Sequence, residues 1–272
     1  MRINHNLSAM NTHRQLSIND SNSSKSMEKL SSGYRINRAA DDAAGLSISE
    51  KMRSQIKSLN QASRNAQDGV SLVQTAEGAM TEISDMLTRA KELMVEASNG
   101  TYNTSDIGAI ASEYKALQDA IDDIAGKTTF NGINLLDGTN ASGVKIQYGG
   151  KTGENLTINA VDVTVSTLGL SGGASITTNA LADTELDKIE TAIGKVNKAR
   201  SDFGAVQNRL EHTQRNLDAT SENLQSAESR IRDVDMAKEM SEFTKNNILS
   251  QAATSMLAQA NQQPQNVLSL LR

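Results

Sequence analysis

Three histidines, His5, His13 and His212, and the adjacent carboxylates Asp41-Asp42 ahead of the first long helical pattern are candidate side chains for metal binding or acid–base chemistry. Their spacing supports neither. A helical metal site needs ligands three or four residues apart, and no second histidine, cysteine or carboxylate stands at that distance from any of the three histidines. Asp41-Asp42 has no histidine or third acid close by in sequence, and its place just ahead of a long helical pattern suits the positive end of a helix dipole. The absence of cysteine removes disulfides, thiol nucleophiles and cysteine-ligated metal. No P-loop lysine motif, dinucleotide glycine fingerprint or GxSxG elbow occurs. The expectation is a protein that is not an enzyme, uses no cofactor and no metal, and works through its surfaces as a self-assembling interaction protein.

Two long seams must carry those surfaces. The first runs Ile48, Met52, Ile56, Leu59 and onward through Val73, Met80, Ile83 and Leu87 to Met94. The second runs Leu186, Ile189, Ile193, Val196 and onward through Phe203, Leu210 and Leu217 to Val234. Both follow the three/four spacing of helices that wrap around partners, and stripes this narrow cannot bury themselves. Each arm therefore needs the other, which brings the two ends of the chain together. Composition agrees, since 37% hydrophobic and 3% aromatic residues over 272 positions are poor material for compact cores. Only one proline, Pro264, interrupts the sequence, so helix can dominate. A net charge of -5 without a basic, aromatic-laced stripe argues against a nucleic-acid partner. No apolar run reaches the length of a membrane span, and the start of the sequence lacks the hydrophobic core of a secretory leader.

At the two ends the pattern thins. Ile3, Leu7, Met10, Ile18, Met27 and Leu30 are embedded in Ser and Asn, and Phe243, Ile248, Ala252, Met256, Leu257, Val267, Leu268, Leu270 and Leu271 form a greasier but still narrow stripe. Neither segment buries enough apolar area alone to offset its ordering entropy, so both termini are expected to be disordered in the monomer and helical once neighbours cover them. Ile3, Leu7, Met10, Ile248, Met256, Leu257, Leu268 and Leu271 are the candidate assembly seam. Gly33 and Gly45 bracket a connector, read either as a bend with specific turns or as a hydrated linker. Asn99-Gly100 ends the first arm, and Ile107, Ile110, Tyr114, Leu117, Ile121 and Ile124 predict a short helix closing at Gly126. Ten of the 18 glycines fall between Gly126 and Gly173, where Val144–Tyr148 and Leu156–Ala160 alternate and predict a β-hairpin. Residues 164–181 read as a tolerant surface loop. Thr184-Glu185-Leu186-Asp187 has capping-box form, and Gly194 and Gly204 beyond it suggest close backbone approach or simple tolerance. The fold class is mainly α: an elongated antiparallel helical bundle or coiled coil of N- and C-terminal arms with a small β-hairpin region between them.

Longer motifs are more specific than periodicity. Lys29-Leu30-Ser31-Ser32-Gly33-Tyr34-Arg35-Ile36-Asn37 and Asp41-Asp42-Ala43-Ala44-Gly45-Leu46 resemble the N-terminal signature of bacterial flagellins. Asn208-Arg209-Leu210-Glu211, the run Ala227–Ala237, and Gln259–Leu268 are similar to the C-terminal signature. The resemblance covers about residues 1–138 and 184–272, with Tyr34 where leucine is usual and Ala40 where glycine is usual. It implies five regions: an assembly helix and connector over 1–40, core helices over 41–138, a short variable region over 139–183, a C-terminal core helix over 184–236 and a C-terminal assembly helix over 237–272. It further implies a filament subunit for motility that is exported unfolded by the flagellar type III system. The partners implied are other copies of the chain, the export apparatus, a flagellin chaperone, and hook-associated and cap proteins, and the location is the extracellular filament. A hook–filament junction protein is the alternative, and a chemoreceptor-type signalling coiled coil a weaker one, since it would carry a tight hairpin tip in place of the Gly-rich middle.

The stretch Leu87–Thr101 also resembles the flagellin segment bound by the host sensor Toll-like receptor 5, and Arg89, Leu93 and Glu113 match its receptor-contacting positions. Thr88, Lys91 and Glu96 depart from that pattern. Local chemistry alone gives a different reading, in which Leu93 packs against the second arm and Arg89 is a solvated flank.

Overall fold

A computed structural model describes residues 6–140, 142–170 and 176–270, the side chains of 264–270 excepted. The elements are α1 (Leu7–Ser32), α2 (Ala43–Ala97), α3 (Thr104–Lys127), β1 (Thr129–Phe130), β2 (Ile133–Asn134), β3 (Val144–Gln147), β4 (Asn155–Ile158), α4 (Val165–Leu168), α5 (Asn179–Arg232) and α6 (Met236–Leu270). They form two compact units, one of Met1–Ile56 with Glu222–Arg272 and one of Lys57–Ser221.

The Lys57–Ser221 unit holds the core. Its part of α2 turns Val73, Met80, Ile83, Leu87 and Met94 inward, and its part of α5 answers with Ile189, Val196, Phe203 and Leu210. Polar pairs fix the antiparallel register: Ser221 Oγ donates to Asn60 (2.8 Å), Ser63 Oγ to Asp218 (2.8 Å), and Asn179 Nδ2 to Asn99 O (2.9 Å). The two arms are thus each other's partner, as the seams require. The third helix, α3, begins on a capping box of Asn103 and Asp106 and folds back so that Ile107, Tyr114 and Ile121 join the core. It runs through Gly126 to Lys127, and the Thr128 N–H closes it on Ile124 O (3.0 Å).

The expected hairpin is present, with Val144 opposite Ile158 and Ile146 opposite Leu156. Its apolar face packs on the helices, and Asn65 Nδ2 anchors it from α2 by donating to Gln147 O (2.9 Å). At Gly69 a Cβ would lie 3.2 Å from both Ile146 Cγ1 and Leu210 Cδ1, so this glycine admits the hairpin and α5 to α2. A second, smaller hairpin joins β1 and β2 through Asn131 (φ 50°) and Gly132 (φ 77°), the paired positive angles of a two-residue turn.

Three expectations are corrected. The described residues of 164–181 are not a tolerant surface loop, 171–175 lying outside the described residues: Val165, Leu168, Leu170 and Ile176 are buried, the Val165 N–H donates to Asp122 (2.8 Å), Gln118 Nε2 donates to Leu170 O, and Lys195 Nζ donates to Thr167 O (2.8 Å). The scattered leucines carry no period, yet side chains of α3 and α5 pin the segment down. The capping box at Thr184 is not a helix start. Helix α5 begins at Asn179 because Leu181 and Ala182 already donate to Thr178 O, while Thr184 Oγ1 donates back to Ala180 O (3.0 Å) and Glu185 is buried. Finally, a Cβ at Gly194 or Gly204 would meet nothing within 4 Å, so those glycines are tolerated, not required by close approach.

The other unit contains the connector. Gly33 caps α1 in the left-handed region (φ 74°), its carbonyl accepts from the Val234 N–H (3.1 Å), and the Arg35 N–H donates to Arg232 O (2.7 Å). Arg232 lies 4.8 Å from the centroid of the Tyr34 ring and donates to Glu50 (2.6 Å). Asp41 accepts from the Asn37 and Arg38 N–H groups, and Asp42 accepts from the Gly45 N–H (2.8 Å). The segment is therefore a bend with specific turns, not a hydrated linker. A Cβ at Gly45 would sit 2.4 Å from Asp42 Oδ2 and 2.9 Å from Ile36 Cδ1, which explains the glycine there.

Candidate assembly and contact surfaces

The pairing of α1 with α6 begins at Asn6, whose side chain accepts from the Ala9 N–H to cap α1 and donates to Ala260 O (2.8 Å). Farther along, Ser250 Oγ donates to Asp20 (2.7 Å) and Lys29 approaches Glu239 at 3.9 Å, so the two helices run antiparallel. The contact runs the length of the pair but fully buries few side chains. Ser26 is the buried residue of α1, and Asn246 and Ala260 are buried on α6. The terminal segments thus find a partner in each other, with Leu16, Leu30 and Phe243 left half-buried.

Four of the eight expected seam residues are exposed. Leu7 is 63% exposed, Met10 62%, Ile248 60% and Met256 55%. Leu257 is half-buried and lines an open groove of about 410 Å³ with Ala9, Met10, His13 and Asn261. Ile3 and Leu271 lie outside the described residues; Leu268 is in α6, with its side chain outside them. Met236, Met240 and Leu249 extend the exposed set beyond the expected seam, and the four-residue spacing of Met236 and Met240 is the signal for them. Among the described residues, 11 of the 13 large hydrophobics left exposed belong to the Met1–Ile56 and Glu222–Arg272 unit. That same unit supplies, among the described residues, only Ile36 and Ala260 to the buried apolar set.

In the other unit, Arg89 on α2 donates to Glu113 on α3 through Nη2 (3.0 Å) and Nε (3.2 Å), and to Glu92 through Nη1 (3.1 Å). Glu92 first, then Glu113, raises the basicity of the guanidinium. Arg89 and Glu113 are half exposed and form one ionic patch. Leu93 does not join it at the surface: it is 2% exposed and packs in the core. Lys91 reaches Glu190 on α5 (3.7 Å), and Glu96 accepts from the Tyr102 hydroxyl (2.8 Å), which raises the tyrosine pKa. Beneath this face, Tyr114 OH donates to the buried Glu185 (3.4 Å), whose other oxygen accepts from Lys188 (2.6 Å). Burial, then Glu185, pushes the Tyr114 pKa up.

Among the described residues no group of three or more His, Asp or Glu is gathered as a metal site, and no helix is long and apolar enough to cross a membrane. Helical arms from both ends of the sequence, a short β middle and a terminal pair rich in uncovered apolar side chains define an α-helical subunit built for association with other chains. Residues 3–141 match the bacterial flagellin N-terminal helical region, and residues 186–271 match the bacterial flagellin C-terminal helical region. The chain is 52% identical to a flagellin of Bacillus subtilis over 304 aligned positions and 55% identical to a flagellin of Halalkalibacterium halodurans over 273, covering 100% of each chain in both cases. The crystal structure of Bacillus cereus flagellin is similar over 57% of this chain and 88% of that one, with TM-score 0.52 and 39% identity. This chain belongs to the bacterial flagellin family, the structural subunits of the flagellar filament.

Proposed function

We propose that this chain polymerises through the α1–α6 pair, residues 1–40 and 237–272 forming the inner wall of a helical filament that drives motility. Core helices over 41–138 and 184–236 form the next layer, and the variable region over 139–183 the outer part. The observation that carries the reading is the concentration of uncovered large apolar side chains on the terminal unit, set against its near lack of buried ones. Covering the exposed half of each such side chain on a neighbour contributes on the order of 1 kcal/mol. A heterologous contact that repeats without closing turns that gain into a filament.

The scarcity of fully buried apolar side chains among the described residues of the terminal unit supports the companion reading that both termini are disordered in the free monomer. Chains in that state suit export through the flagellar type III apparatus and capture by a chaperone, with hook-associated and cap proteins at the filament ends. Substituting Ile248→Asp tests the assembly surface, because the residue is 60% exposed. Seeded filament growth should fall more than tenfold with unchanged monomer helicity; equal growth would remove α6 from the interface.

A second surface is proposed from the Arg89–Glu113 patch, which suits recognition by Toll-like receptor 5 in the monomer. Leu93 would act there from beneath, by holding α2 against the core. Lys91 and Glu96 are engaged within the chain, which favours weak binding.

A further inference from the structure

The ten methionines of this sequence are unevenly placed. Met80 and Met94 are fully buried in the Lys57–Ser221 unit, and Met52 and Met86 are half-buried. Met10, Met27, Met236, Met240 and Met256 expose between 49% and 62% of their surface, and all five lie on α1 or α6. The chain has no cysteine, so these thioethers are its softest accessible nucleophiles.

We infer that the five exposed methionines form an oxidation-sensitive modification site on the terminal helix pair, where a peroxide turns thioether into sulfoxide in the unassembled chain and thereby blocks assembly. The inference rests on the reading that α1 and α6 are the assembly surface. In the reaction the peroxide O–O bond breaks and an S–O bond forms. Sulfur loses two electrons, the transferred oxygen stays on it, and the remaining oxygen leaves as water with both peroxide protons. The product places a strong hydrogen-bond acceptor on a surface that must be dehydrated, where an unmatched polar group opposes burial. Met10 shows the geometry: it lines the groove beside Leu257 that a neighbouring chain would fill. Sulfoxide formation is reversible by methionine sulfoxide reductases, so the block can be lifted without new synthesis. Assembly itself should protect the site by covering it.

The test uses the full chain as monomer, treated briefly with hydrogen peroxide, mapped by peptide mass and then supplied with filament seeds. The expected result is one added oxygen at each of the five methionines with Met80 and Met94 unmodified, seeded growth at least tenfold slower, and recovery of growth after treatment with the two sulfoxide reductases. Undiminished growth of chains shown to carry all five sulfoxides would overturn the inference. So would oxidation of Met80 and Met94 as fast as the exposed five, or removal of the oxygens without recovery of growth. Failure of the untreated chain to extend seeds is seen before any oxidant is added and refutes the assembly reading first, and with it this inference.

Discussion

At the scale of single residues, charge is used here mainly to fix turns and registers. Asp41 is held below the usual carboxylate range first by the Arg38 N–H and, against some desolvation, by the Asn37 N–H. At Asp162 desolvation pushes the pKa up, but the Thr167 and Thr164 hydroxyls and the Thr164 N–H outweigh it and leave the value lowered. A carboxylate with a depressed folded pKa contributes stability above its unfolded pKa, and that contribution is lost as pH falls through the folded value. Thermal unfolding of the monomer should therefore drop from about pH 4 downward. The Asp162→Asn variant should begin lower at neutral pH and lose less on acidification; an identical acid slope would contradict the role assigned to Asp162. For the Arg89–Glu113 patch the expectation is modest, since exposed ion pairs contribute about 0–1 kcal/mol. Arg89→Ala should leave monomer stability nearly unchanged while reducing receptor binding, as titrated on the immobilised receptor ectodomain. Unchanged binding by a monomer whose parent binds measurably would remove the patch from the contact.

At the scale of elements, glycine has two different meanings in these helices. Gly69→Ala adds a Cβ 3.2 Å from Ile146 and Leu210 and should destabilise the monomer, whereas Gly194→Ala adds one in open space and should stabilise it by about 1 kcal/mol. Chemical denaturation of both variants checks the opposite signs. Leu170→Ala should cost about 2–5 kcal/mol, because Leu170 is fully buried and its carbonyl is held by Gln118. The sequence makes the long arms legible through the repeat of Val73, Met80, Leu87 and Met94, and makes the hairpin legible through alternation at Val144–Gln147 and Leu156–Ile158. Burial of Val165, Leu168, Leu170 and Ile176 has no such period, because Asp122, Gln118 and Lys195 place that segment from distant helices. The close approach at Gly69 is hidden for the same reason: it depends on which strand and which arm meet there. Of the candidate contacts, the exposed seam residues follow from their stripe. Leu93 shares the turn of Arg89 by spacing, yet only packing shows that its side chain points into the core.

At the scale of the whole molecule, the two units divide labour by where their apolar side chains go. Lys57–Ser221 buries its own, and the Met1–Ile56 and Glu222–Arg272 unit leaves half of its described large ones exposed and fully buries one, Ile36. Removing residues 1–32 and 238–272 should leave a soluble, helical monomer that no longer extends seeds, with circular dichroism reporting retained helix. Loss of most helix would show that the termini support the core. The central claim, that α1 and α6 gain their covering from neighbouring chains, is tested most directly by hydrogen exchange of their amides in the monomer and in filaments grown from it. Rapid exchange is expected across both helices in the monomer, and exchange roughly a hundredfold slower or more in the filament. Filaments in which α1 and α6 exchange as fast as in the monomer would contradict it.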